Sequence, residues 1–382
     1  MKLRSLRILG PVVAVAVALT GGPAMASGGN SPLITVQWIR GPVSTFAGTR
    51  FDGQYVATNN RVYFLGFRTI GDATDGSVWY FDVSSKTYVD TGVDMPVPIS
   101  NYGIAALNDA NGLGLYIFGG RDANAQIVTT VQVYYPATNT TAVINTDPWP
   151  GTTPSGCVSL PAMGVAVVSN KAIVMGGNSF AANGCVDDQS AQTWSFNPMG
   201  APGSRWSRGP NLNVARGYIT PAVLGNTVYA IGGDVNLAGS LFAQPTVESW
   251  TPPGGTWNDV GVADLPDICD ESQAFGFNTA NPKIVLAGCG QWPNATTATY
   301  LYNATTNAWT LAGQLNDVRR NQAGALLTPN GKNIMYILGG YGGPNFVDPI
   351  TSSELSRLGA AGPVGATRSG SASGSGRTSS TT

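Results

Sequence analysis

The stretch Val228-Tyr229-Ala230-Ile231-Gly232-Gly233 decides the reading of this chain, because versions of it return along nearly the whole sequence. Leu115 to Gly120 reads Leu-Tyr-Ile-Phe-Gly-Gly, Ala172 to Gly177 reads Ala-Ile-Val-Met-Gly-Gly, and Met335 to Gly340 reads Met-Tyr-Ile-Leu-Gly-Gly. Two weaker copies, Val62 to Phe67 and Ile284 to Gly290, complete a set of six. Their first glycines fall at 66, 119, 176, 232, 288 and 339, so successive spacings are 53, 57, 56, 56 and 51. A period of about 50 residues of short apolar strands points to sheets arranged radially as the blades of a β-propeller.

Each period carries strand-like segments separated by turn formers, as four-stranded blades require. In the fourth period these are Tyr218 to Leu224, Val228 to Ile231, Thr246 to Trp250 and an outer strand over Trp257 to Val260. Glycine pairs follow the second strand, where a missing Cβ lets backbones approach and permits positive φ. Val78 to Phe81, Val131 to Tyr135, Gln192 to Phe196 and Thr299 to Tyr302 read as third strands. Trp206 and Trp309 mark fourth strands, while Tyr88 and Val143 replace tryptophan in the first two periods. The sixth period has a third strand near Ser352 to Leu358 and no tryptophan-bearing fourth. Trp38-Ile39-Arg40-Gly41-Pro42 matches Trp206-Ser207-Arg208-Gly209-Pro210, so Ile34 to Arg40 is expected to complete the last blade and close the ring without a free edge.

The apolar-Tyr-x-x-Gly-Gly strand, the aromatic third strand and the spaced tryptophan resemble the kelch-repeat family over Ile34 to Leu358. That resemblance implies an all-β, six-bladed propeller closed by the N-terminal strand. It says little about activity, since propellers host many unrelated functions. The chain is also similar to the propeller of galactose oxidase, whose copper site requires two histidines. This sequence contains none, so that chemistry does not carry over.

Outside the repeats, residues 1–26 read as an export signal. Lys2, Arg4 and Arg7 precede an apolar run, and Ala24-Met25-Ala26 supplies small residues for cleavage. Residues 27–33 form a short lead, and 359–382 form a Ser/Gly/Thr-rich tail expected to be disordered. That ending lacks the hydrophobic tail of a GPI signal, and no segment is expected to span a membrane. An extracellular location follows, with a surface-associated stalk as a variant. Charged residues make up 11% of the chain and the net charge is −1, which leaves no basic field for nucleic acid.

Four cysteines in an exported chain read as two disulfides. Cys157 precedes the first strand of the third period and Cys185 follows its second strand; Cys269 and Cys289 hold the same places in the fifth. Loops at those places emerge on one face, so pairs Cys157 with Cys185 and Cys269 with Cys289 are expected. A thiolate metal site would want closer spacing than any found here.

Without histidine, Ser-His-Asp hydrolysis and imidazole-ligated metals are excluded. No sialidase-type Ser-x-Asp-x-Gly-x-x-Trp repeat occurs; Asp75-Gly76-Ser77-Val78-Trp79 has the wrong spacing. Asp187-Asp188 and Asp267, Asp270 and Glu271 lack a calcium-loop pattern and read as solvated loop charge. No catalytic residue, metal or cofactor is assigned. Arg50, Arg68, Arg121, Arg216 and Arg320, with Tyr102, Trp292 and Tyr341, fall on the disulfide-bearing face and form the candidate ligand-binding set. The bland reading is that these arginines cap carbonyls and pair within blades. Asn139, Asn294 and Asn303 open N-glycosylation sequons.

The expected function is therefore non-enzymatic binding of a protein or glycan partner through that face. The second reading is a histidine-independent enzyme acting on sugars, since the architecture resembles the bacterial sialic acid mutarotase. The third is a structural surface module.

Overall fold

In the computed structural model, residues 34–237, 240–291, 293–342 and 348–360 are described. The export signal, the lead at 27–33, most of the tail and Trp292 lie outside them. Second strands buried on both faces, such as Lys283–Ala287, and first strands that alternate buried and half-buried positions, such as Thr220–Leu224, build six blade sheets, one per sequence period. Blade one runs Gly53–Val56, Arg61–Arg68, Thr74–Asp82 and Thr87–Asp94; blade two runs Ser100–Asp109, Gly112–Arg121, Val131–Tyr135 and Thr140–Ile144. Tyr88 and Val143 thus serve in outer strands where other blades use tryptophan. Blade three is Val165–Val168, Lys171–Met175, Thr193–Phe196 and Trp206–Arg208, and blade five is Gln273–Phe277, Lys283–Ala287, Asn294–Asn303 and Ala308–Arg319.

Blade four departs from expectation. It pairs Thr220–Leu224, Thr227–Ile231 and Val247–Trp250, and its outer edge is a single bridge between Ser249 and Asn258 instead of a strand over 257–260. Trp257 is drawn inward, where its indole N–H donates to Thr193 Oγ1 of blade three at 3.0 Å, and Gly261 N–H turns the chain back onto Asn258 Oδ1.

The ring closes at blade six. Ile39–Arg40 pairs with the third strand Ser353–Ser356, in register Ile39 with Leu355 and Arg40 with Glu354, outside Ile334–Leu338 and Ala323–Leu327. The expected closing strand is split, however. Ile34–Gln37 leaves blade six and lies parallel to Gly313 and Gln314 of blade five, and Leu358–Ala360 pairs antiparallel with it. Strand therefore reaches Ala360, covering the first two residues of the expected tail. Trp38 sits between the two pieces, 5% exposed, and donates to Thr299 Oγ1 of blade five at 2.9 Å. That bond repeats the one Trp257 makes to blade three.

Blades meet through apolar faces, for instance the stacked Phe81 and Tyr336 rings of blades one and six, 5.0 Å apart. The glycine pairs let second-strand ends slide under the neighbouring loops. A Cβ on Gly232, at φ 57°, would lie 2.0 Å from the carbonyl oxygen of Cys269 in the next blade. No helix among the described residues is long and apolar enough to cross a membrane.

Candidate ligand site at one mouth of the channel

First strands converge on a central cavity of about 240 Å³ lined by Asp52, Gln54, Ile104, Val165, Pro221, Gln273 and Ala325 among others. Asp52 looks into it, its carboxylate accepting Gly53 N–H at 2.8 Å and the Gln273 amide at 3.3 Å. Burial pushes this carboxyl up to about 7 despite both donors.

At one end of the cavity the chain enters every first strand through the same unusual residue. Arg50, Asn101, Met163, Tyr218, Glu271 and Asn321, one per blade, all hold left-handed conformations with φ between 49° and 60°. None is glycine, so each position carries a conformational cost that surrounding bonds must offset. Part of that offset is a chain of backbone bonds from blade to blade. Asn321 N–H donates to Glu271 O, Arg50 N–H to Asn321 O and Asn101 N–H to Arg50 O, at 2.9, 2.9 and 2.6 Å. Sequence reasoning passed over this ring because nothing but its recurrence at the start of each first strand marks it.

The arginines expected on this face divide into two groups. Arg216 is fully buried, pairs with Glu248 at 3.1 Å and donates to Ala230 O, which makes it part of blade four's framework. Glu248 in turn accepts the N–H groups of Asn213 and Val214, and Glu354 does the same for Asn316 and Asp317 while pairing with Arg319. Tyr102 is likewise internal: its hydroxyl donates to Gly66 O at 2.8 Å and accepts Leu65 N–H. For these two the bland reading is the better one, since neither reaches the mouth.

Arg50, Arg68, Arg121, Arg320 and Tyr341 are brought together. Arg50 and Arg320 both lie over the Tyr341 ring, at 5.5 and 5.3 Å, and the Tyr341 hydroxyl donates to Asp72 at 3.2 Å. Arg68, 5% exposed, pairs with Asp72 at 2.6 Å and donates to Ser100. Burial, with the nearby Arg50 cation, pushes its guanidinium pKa down. Arg320 pairs with Glu271. Arg121 packs 4.0 Å over the Phe180 ring and donates to the Tyr218 hydroxyl at 3.2 Å. Among the described residues Arg50 and Arg121 have no carboxylate partner, and the Nε of each is buried without a hydrogen bond.

Beside them stand Asp270 and Glu271, which sequence reasoning placed in solvent, and Asp234, which it did not consider. Asp267 is exposed, but Asp270 and Glu271 are 1% and 6% exposed, and Asp234 is 1% exposed. Asp270 N–H donates to Gly290 O beside the Cys269–Cys289 disulfide, and Glu271 pairs with Arg320 of the next blade, so neither is a solvated loop charge. Burial, reinforced by the Glu271 carboxylate, pushes Asp234 up to about 7 against its 2.6 Å bond from Asn178, and burial pushes Asp270 well up too. Asp187 and Asp188 instead accept backbone N–H groups of Ala181 and Ser155 and pin their loop. No group of three metal-ligating side chains occurs among the described residues.

The second disulfide, Cys157–Cys185, anchors the loop of blade three on the same face. Both pairs are those the topology led us to expect. Asn139 is exposed on a loop and Asn294 is exposed at the start of the strand Asn294–Asn303, although the Asn139 amide is engaged in bonds with Tyr134 and Thr91 O; Asn303 is half-buried and caps Thr305 N–H.

No protein-family model matches the chain. Beta-scruin of Limulus polyphemus is 24% identical over 180 residues, which are 46% of this chain and 18% of that protein's length. The solved structure of YjhT aligns with a TM-score of 0.59 at 17% identity, covering 82% of this chain and 95% of its own. At that identity the likeness speaks for the fold.

Proposed function

The chain is a kelch-repeat β-propeller, and from that premise we propose that it is an exported binding protein whose disulfide-anchored face seats an acidic glycan or protein segment at the channel mouth. One observation carries the reading: Arg50 and Arg121 are largely enclosed guanidiniums with no carboxylate partner among the described residues. Enclosed cations are ordinarily paired, and guanidiniums with no carboxylate partner and an unbonded Nε–H fit a ligand carboxylate or sulfate. The two disulfides support export, and the rigid ring beneath the mouth supplies a preorganised seat.

The test is a glycan array and pull-down with the purified protein beside Arg50→Ala and Arg121→Ala. Selective retention of acidic ligands that both variants lose is the expected result. Retention unchanged in both variants would place binding elsewhere.

A second reading, a sugar-acting enzyme of the mutarotase kind, draws on a separate observation. Asp234, at about 7, and the neighbouring Asp270 offer carboxyls able to exchange protons near neutral pH. Anomer exchange followed by NMR above the uncatalysed rate, abolished in Asp234→Asn, would favour it; a background rate retires it.

A further inference from the structure

The mouth has two walls of opposite character. Arg50, Arg68 and Arg121 come from blades one and two, whereas Asp234, Asp270 and Glu271 come from blades four and five. Two of these charges are accounted for within the protein: Arg68 by Asp72, and Glu271 by Arg320. The remainder is symmetrical. Two guanidiniums, Arg50 and Arg121, and two carboxyls, Asp234 and Asp270, have no ion pair among the described residues.

Several buried polar atoms here also lack any hydrogen-bond partner. They include Asp270 Oδ1 and both the oxygen and the nitrogen of the Asn321 side chain, whose residues are 1% and 0% exposed. Native proteins seldom leave such atoms unmet, so their concentration around one opening marks where a ligand's polar groups belong.

Resting on the anion-seating role proposed above, we infer that the ligand is zwitterionic, offering an anionic group to Arg50 and Arg121 and a protonated amine to Asp234 and Asp270. An ammonium brings three donors and a full positive charge. It can serve both carboxyls at once and relieve the repulsion that Glu271 adds to them, which a hydroxyl, a single neutral donor, does not. Tyr218 stands between the walls, its hydroxyl held by Arg121, so the two ends of such a ligand would flank a phenol ring. Seating an ammonium draws protons off the acidic wall. The groups that set this response are Glu271, Arg320, Arg121 and the two aspartates themselves.

The experiment uses the full chain and a ruler of ω-amino acids, from glycine to 6-aminohexanoate, titrated beside the alkanoate and the alkylammonium of each length. One amino acid is expected to bind about tenfold or more tighter than its alkanoate. Binding should release protons near pH 7, read by calorimetry in buffers of different ionisation enthalpy. In Asp270→Asn the amino acid should lose its advantage over the alkanoate of the same length. Alkanoates binding as tightly as every amino acid would overturn the zwitterion and leave the anion seat standing. No binding of any carboxylate would remove the seat itself and the inference with it. The wild-type ratio needs no variant, so a poorly folded Asp270→Asn does not spare the idea.

Discussion

Replacing Asp52 by Asn should stabilise the protein, and by an amount that grows with pH. The Asp52 carboxyl faces an enclosed channel and titrates at about 7, against an ordinary value of 3.8. Below about pH 4 the carboxyl is protonated in both folded and unfolded chains, and the side chain carries no penalty. As pH rises the unfolded chain ionises first, so the native state falls behind until its own carboxyl lets go near 7. The shift corresponds to at most about 4 kcal/mol, since each tenfold step is about 1.4 kcal/mol, and residual channel water reduces this to about 2–4 kcal/mol. Asn keeps an acceptor for Gly53 N–H and for the Gln273 amide, the two donors that hold Asp52. Urea unfolding of both proteins from pH 4 to pH 8 should give curves that coincide at the acid end and diverge toward neutrality, with Asp52→Asn the more stable. A constant difference across that range would mean that the channel does not desolvate this carboxyl.

Three further outcomes concern the frame around the site. Glu354→Ala strands the buried Arg319 and frees two backbone N–H groups at the last junction, so it should cost about 3–5 kcal/mol by urea unfolding. Replacing both Cys269 and Cys289 by Ser should cost about 3 kcal/mol in the chain-entropy model, and hydrogen exchange should quicken first around 269–272. Trp38→Ala should lose about 3–5 kcal/mol from cavity formation at the closure, whereas a loss below about 1 kcal/mol would mean that this residue does not hold blades five and six together.

The repeat made the six blades legible, because periodic glycine pairs and third-strand aromatics are local signals. Disulfide pairing followed once loops could be assigned to faces. Closure was half legible: the Trp38 motif located the fourth strand of blade six, but the transfer of Ile34–Gln37 to blade five depends on pairing with Gly313 and Leu358, far away in sequence. Which of the candidate arginines stay unpaired turned on partners such as Glu248 that no local pattern links to Arg216. Asp270 and Glu271 read as loop charge because hydrophilic loop composition does not reveal that a disulfide and a neighbouring blade enclose them. The left-handed ring was invisible for the opposite reason: it uses ordinary residues where glycine would have announced the turn.

The central claim is that Arg50 and Arg121 hold the acidic part of the ligand, and their unbonded Nε–H groups report on it directly. Nitrogen-15 NMR of the arginine side chains during titration with a ligand selected on the acidic array should move both Nε–H signals downfield together and slow their exchange. Saturating binding with both signals unmoved would contradict the account.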